Sequence, residues 1–210
     1  NDTFLYYARA VDPCMLPAIN EISSQQAKST EATKNKATMF IDYAYTCPNS
    51  ILRYYASDMQ LYIDSDAAYL VLPNARSRGA GYFYLSKKLT NMSIPPLPKT
   101  NGSILTECQT LKHVISSAAE AEVGTVHNNG KAAIPIRVAL NEMGHLQGPT
   151  PLKTDNNTAE GFVNNTIRKK RSKAFDMRFH WMLDRIKQKQ FWVYWERGAN
   201  NMADYFTKHH

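Results

Sequence analysis

Three β-rich runs follow one another between residues 59 and 111, and every later strand-like run is separated from the one before it by a helical stretch. That order limits the available folds. Consecutive strands joined by short links pair antiparallel, whereas a strand reached through a helix returns parallel. The strand-like runs are residues 59–66, 81–86, 104–111, 152–155 and 191–195. The helical stretches are 113–143, 156–167, 172–189 and 199–208. The resulting order, β-β-β-α(α)-β-α-α-β-α, predicts an α/β (α+β mixed) architecture: one mixed sheet flanked by helices. The 113–143 stretch is expected in two pieces divided near residues 127–130. Pro135 starts or kinks the second piece, because proline lacks the amide hydrogen a helix uses. Residues 71–79 read as a turn-rich connector. Residues 87–103, with three prolines and Gly102, read as a surface loop.

The first 47 residues carry a different pattern. Asp12-Pro13 has the form of an N-cap followed by proline at the first helical position. Met15, Leu16, Ile19 and Ile22 follow at helical spacing. A polar stretch at 23–29 interrupts the pattern. Residues 32–45 resume it, with Met39, Phe40, Tyr43 and Ala44 clustered on one side, and Cys47-Pro48-Asn49-Ser50 is a stop signal. The chain therefore divides into a helical segment at 1–57 and a sheet-containing domain at 58–210.

The composition of the 210 residues, 43% hydrophobic and 20% charged, suits a sizeable buried core. No apolar run approaches the roughly 20 residues of a membrane span, so no membrane association is expected. No basic-then-apolar leader opens the chain, which points to an intracellular setting. The three cysteines, Cys14, Cys47 and Cys108, match no zinc spacing and read as reduced thiols. The sequons at Asn91, Asn101, Asn156 and Asn164 then read as chance. Lys plus Arg is 25 against 18 acids, a net +7, which favours a polyanionic partner. Residues 168–189 hold nine Lys or Arg and only two acids, Asp176 and Asp184. Lys169, Lys170, Arg171, Lys173 and Arg178 there, with Arg76 and Arg78 after the first strand, are the candidate phosphate contacts. The bland alternative for the run is a solvated charge cluster or a nuclear localisation signal. Trp192 and Trp195 read as core.

Acids fall where such a fold could gather them. Asp64 and Asp66 end the first strand, Glu120 and Glu122 lie on the first long helix, Asp155 ends the fourth strand, and Asp204 lies in the closing helix. Carboxylates are hard oxygen ligands suited to magnesium or manganese, and three or four can hold two ions roughly 4 Å apart. By spacing alone, such acids are as readily solvated residues or helix caps, and Asp155 could cap the next helix.

Ordered strings carry more information. Leu5-Tyr6-Tyr7-Ala8-Arg9-Ala10-Val11-Asp12-Pro13, Ser65-Asp66-Ala67, Ser116-Ser117-Ala118-Ala119-Glu120-Ala121-Glu122, Thr154-Asp155-Asn156, Arg171-Ser172-Lys173 through to Asp176-Met177-Arg178-Phe179-His180, and Asn201-Met202-Ala203-Asp204-Tyr205-Phe206-Thr207-Lys208 occur in this order. Together they resemble the C-terminal end of the Pol polyprotein of copia-type LTR retrotransposons. The first string is similar to the end of the reverse transcriptase connection, and the others to its ribonuclease H domain.

The resemblance implies a ribonuclease H-like five-stranded mixed sheet. It also implies metal-dependent cleavage of the RNA strand of an RNA–DNA hybrid with two magnesium ions, manganese being an alternative. Asp66, Glu122, Asp155 and Asp204 match the four metal-binding acids, with Asp64 and Glu120 as register rivals. The implied partners are the hybrid and the reverse transcriptase of the same polyprotein. The implied setting is cytoplasmic, within a virus-like particle, or nuclear. Two departures stand out. The link Glu196-Arg197-Gly198-Ala199-Asn200 lacks the mobile histidine of many cellular ribonucleases H, and the loop at 87–103 has no counterpart in a minimal domain. A second reading is a catalytically inactive or co-opted nucleic-acid-binding remnant.

Overall fold

The computed structural model describes residues 2–92, 95–112, 114–166 and 176–208. Five strands form one sheet: β1 (Gln60–Leu72), β2 (Arg76–Ser86), β3 (Ser103–Leu111), β4 (Thr150–Thr154) and β5 (Phe191–Trp195). Their order is β3-β2-β1-β4-β5. The first three strands make the antiparallel meander expected of consecutive strands. β4 joins β1 in parallel, Ile63 opposite Leu152, and β5 joins β4 in parallel, Thr150 opposite Phe191. The flanking helices are α4 (Ala118–Glu142), α5 (Asn157–Val163), α6 (Asp176–Lys187) and α7 (Asp204–Thr207). The mixed, helix-flanked five-stranded sheet is the expected architecture.

The period-two alternation of the strands decides which face each side chain meets. Leu61, Ile63 and Phe83 face α4 and α6, where Val123, Val126 and Met182 close a core with Leu152, Phe191 and Val193. The intervening Tyr62, Tyr82 and Tyr84 face the other side and pack with Ala203 and Phe206 around α7.

Two elements differ from the sequence expectation. The connector expected at 71–79 is largely strand. β1 runs to Leu72 and β2 starts at Arg76, with a three-residue turn between them in which Asn74 and Ala75 have φ of 60° and 53°. Backbone pairing between neighbouring strands overrides the weak side-chain pattern there, and an irregularity between Ala68 and Leu72 absorbs the change in register. The second difference is α4, which is one continuous helix through residues 127–130 and Pro135. Both Pro135 and Lys131, whose carbonyl loses its partner, are on the exposed side, so water can satisfy that carbonyl. Gly130 serves packing: a Cβ there would stand 2.9 Å from the Met182 sulfur, so its absence lets α6 approach.

The N-terminal residues form α1 (Asp2–Ala10), α2 (Leu16–Gln25) and α3 (Glu31–Thr46). Asp12 caps the 3-10 turn at Pro13–Met15 by accepting from the Cys14 amide at 3.1 Å. It also accepts from the Tyr43 and Ser50 hydroxyls at 3.2 and 2.8 Å, which ties the start of the segment to its end. Ala8, Met15, Leu16, Ile19 and Phe40 form a separate small core, against which Cys108 of β3 packs. The Asn20 side chain bridges to β3, donating to the Cys108 carbonyl at 3.4 Å. Among the described residues, no helix is long and apolar enough to cross a membrane.

Candidate metal centre

β1 and β4 run parallel, and β4 ends where β1 is only half-way along its length, so Asp64 and Asp66 do not end the first strand as expected but lie in its middle, level with the end of β4. Asp66 lies on β1, and Asp155 is the residue immediately after β4. Glu122, on the first turns of α4, reaches the same place from the other face. Its Oε1 accepts from the Ala67 amide at 3.0 Å, and its Oε2 accepts from the Thr154 hydroxyl at 3.3 Å. Asp66, Glu122 and Asp155 each present a carboxylate oxygen within 4.8 Å of the others. Asp66 and Glu122 are buried and Asp155 is half-buried.

Three carboxyl groups held this closely cannot all ionise easily without a cation. Burial, opposed in part by the Thr207 hydroxyl donating to its carboxylate, pushes the Asp66 carboxyl up to about 6, and the charges of Asp155 and Asp204 add to the rise. Burial first, then Asp66 and Asp155, raises Glu122 well above the usual carboxylate range. Burial and Asp204 raise Asp155. A buried, all-oxygen donor set with this much mutual repulsion suits a hard divalent cation, so the residues present fit magnesium or manganese.

Asp204 opens α7 and borders the trio. Its charge is felt by Asp66 and Asp155, and its own carboxylate pairs with Lys208 one turn on. The register rivals have other partners. Asp64 is 1% exposed and bonded to Lys153 Nζ at 2.9 Å, and it accepts from the Met202 amide at 3.1 Å. Glu120 accepts from the Ser116 amide and hydroxyl at 2.8 and 2.6 Å, while the Ser117 side chain caps α4. Asp155 does not cap α5. The neighbouring Asn156 does, accepting from the Ala159 amide at 2.9 Å.

The basic candidates separate. Lys169, Lys170, Arg171 and Lys173 lie outside the described residues. Arg178 is half-buried on α6, and Arg76 is exposed, donating to the Lys112 carbonyl at 3.0 Å. Arg78 is corrected: it is 1% exposed, so it is not on a surface that a hybrid could meet. It sits mid-sheet, opposite Ala68 of β1 and Thr110 of β3, and donates to the Lys208 carbonyl at 3.0 Å. Sequence reasoning placed it in a turn, and the longer β2 puts it under α7.

Several supporting residues escaped the sequence reading. Trp195 is 41% exposed and not core; its indole donates to the Asp155 carbonyl at 2.9 Å. Asn201 donates to the Ser65 carbonyl at 2.9 Å, fixing the approach to α7 against β1. Gly198 leaves room for the Asp155 carboxylate. Lys153 alone had a legible signal, since alternation from Leu152 turns it to the face of Asp64.

No protein-family profile matches the chain, and no curated protein matches it. Among solved structures, it is similar to the N-terminal RNase H domain of rv2228c from Mycobacterium tuberculosis, with 10% identity over 71% of this chain and 91% of that one and a TM-score of 0.49. It is similar to LC11-RNase H1 solved in complex with an RNA/DNA hybrid, with 7% identity over 69% and 91% of the two chains and a TM-score of 0.48. It is also similar to the prototype foamy virus protease–reverse transcriptase, with 14% identity over 75% of this chain but 21% of that one and a TM-score of 0.39.

Proposed function

We propose that this chain is a metal-dependent ribonuclease H that cleaves the RNA strand of RNA–DNA hybrids during the reverse transcription of a copia-type retrotransposon. The observation that carries the reading is the convergence of Asp66, Glu122 and Asp155, from the middle of β1, a helix and the end of the parallel strand β4, within 4.8 Å. On this reading residues 58–210 are the nuclease domain. Residues 1–57 end the reverse transcriptase connection, and the polymerase of the same polyprotein is the partner. The setting is a cytoplasmic virus-like particle or the nucleus.

Asp66, Glu122 and Asp155 would hold one magnesium ion, and Asp155 and Asp204 a second. When bound, two such ions supply a water nucleophile at neutral pH and stabilise the leaving oxygen. The chain's own residues position these ligands. The Ala67 amide and the Thr154 hydroxyl orient Glu122, Thr207 orients Asp66, and Trp195 steadies the backbone at Asp155. Arg76, Arg178 and the basic residues at 169–173 would contact phosphates.

The test is magnesium-dependent cleavage of a labelled RNA–DNA hybrid, run beside Asp155→Asn. RNA-strand cutting that vanishes in the folded variant is the expected result. A folded protein that holds the hybrid with steep salt dependence and never cuts it would overturn the nuclease reading and leave a binding remnant.

A further inference from the structure

Asp64 on β1 and Lys153 on β4 belong neither to the carboxylate trio nor to the groups bonded to it, yet they stand beside it. Asp64 shares a face of β1 with Asp66, two residues on. Both side chains are buried, with Lys153 Nζ 2.9 Å from Asp64 Oδ2. A pair this deep costs the desolvation of both ions, and apolar residues of similar volume often hold two strands as well. Its other bonds go to the link that follows β5. Lys153 Nζ donates to the Asn200 carbonyl at 2.7 Å and lies 4.0 Å from Glu196 Oε2. The Met202 amide donates to Asp64 Oδ2 at 3.1 Å. Between these two anchors, the Asn201 side chain donates to the Ser65 carbonyl at 2.9 Å.

Three successive residues, 200–202, are thus fixed to β1 and β4, and the Asp204 amide donates to the Asn201 carbonyl at 3.2 Å. Asp204 opens α7, a single turn with no side-chain cap. One turn of helix does not hold itself in place. Ala203 and Phe206 pack it onto the tyrosine face of the sheet, but apolar contact is non-directional. The hydrogen bonds at 200–202 supply the direction.

We infer that Asp64 and Lys153 are positioning residues: through the Met202 amide and the Asn200 carbonyl they set where Asp204 stands beside Asp155, and so form the second metal position. The inference rests on the two-ion reading above.

The test is calorimetric titration with manganese of wild type, Asp64→Leu/Lys153→Met and Asp64→Asn/Lys153→Met. Each variant removes one charge of each sign, so the net charge near the trio is unchanged and a shift in affinity reports geometry. Wild type should bind two ions. In the leucine variant the tighter ion should stay, and the weaker should bind about tenfold more weakly or worse. The asparagine variant keeps an acceptor for the Met202 amide and should recover part of that loss. It should still fall short of wild type, because the Asn200 anchor is gone, so it tests the inference even if the leucine variant does not fold. Without metal, amides at 200–204 should exchange faster in the leucine variant while β1 and β4 stay protected. Two ions bound by wild type and equally well by both folded variants would overturn this inference alone. A loss of both ions together, or one that asparagine does not relieve, would overturn it as well. Wild type that binds no manganese would overturn the two-ion reading and this inference with it.

Discussion

Gly198 lies against the carboxylate of Asp155, and a Cβ at that position would stand 2.7 Å from Asp155 Oδ2 and 3.7 Å from its Cβ. The turn after β5 is thus built around one of the three clustered acids. Gly198→Ala should leave the fold intact and swing the Asp155 carboxylate away from Asp66 and Glu122. Metal affinity should fall roughly tenfold or more, the size seen when a ligand's support is disturbed. Manganese titration of wild type and variant checks this. Equal affinities would mean that the Asp155 position tolerates the displacement.

Lys153 and Asp64 form a buried pair on β4 and β1, at 5% and 1% exposure. Removing only the cation in Lys153→Met strands a carboxylate that already has one unbonded oxygen, Oδ1. The expected cost is about 3–5 kcal/mol in urea unfolding. The double variant Lys153→Met/Asp64→Leu should recover most of that loss, because it removes both charges together. A double variant as unstable as the single one would show that the pair itself holds β1 to β4.

Pro135 interrupts the hydrogen bonding of a helix that the fold keeps continuous. It is exposed, so replacing it creates no cavity. Pro135→Ala should raise stability by roughly 1–3 kcal/mol, through a regained backbone hydrogen bond and removal of the ring's clash with the preceding turn. A lower urea midpoint in the variant would show that the proline bend fits α4 to the sheet.

The raised carboxyl groups fix the sign of a pH effect in the metal-free protein. Asp66 titrates near 6 in the folded chain, against an ordinary value of 3.8. A folded group with a raised pKa holds its proton more tightly than the unfolded chain does. Its stabilisation is therefore complete below about pH 4 and lost as pH rises through about 6, a change of about 3 kcal/mol at most. Glu122 and Asp155 shift in the same direction. The stability of wild type relative to Asp66→Asn should decline across that window without metal, and saturating magnesium should reverse the decline at neutral pH. Urea midpoints of the two proteins, measured with and without magnesium, give the answer. A pH-independent difference would show that Asp66 is not strained by its neighbours.

Much of this protein was legible in the sequence. The alternation of Tyr62 with Ile63, and of Tyr82 with Phe83, follows from local pattern, as does the order of three strands and then two crossovers. Asp12 as a cap is equally local, because a short polar side chain meets an amide two residues on, whereas the cap of α5 went to Asn156 and not to the Asp155 that the pattern offered. The clustering of Asp66, Glu122 and Asp155 was legible through ordered motifs, since spacing alone left Asp64 and Glu120 as equals.

The rest depended on contacts between distant segments. Asp64 and Asp66 look alike along the strand, and only the Lys153 ammonium from β4 makes one a structural partner while leaving the other in the carboxylate trio. Arg78 read as a turn residue because β2 begins earlier than its side chains suggest. Pairing with β1 and β3 decided that it would be buried beneath α7, with two donors unmet. Sequence determines the elements and the residues able to do chemistry, because those depend on near neighbours. Which acid is bonded away and which cation is buried are decided by separate segments of the chain brought together in the fold, and no local pattern records them.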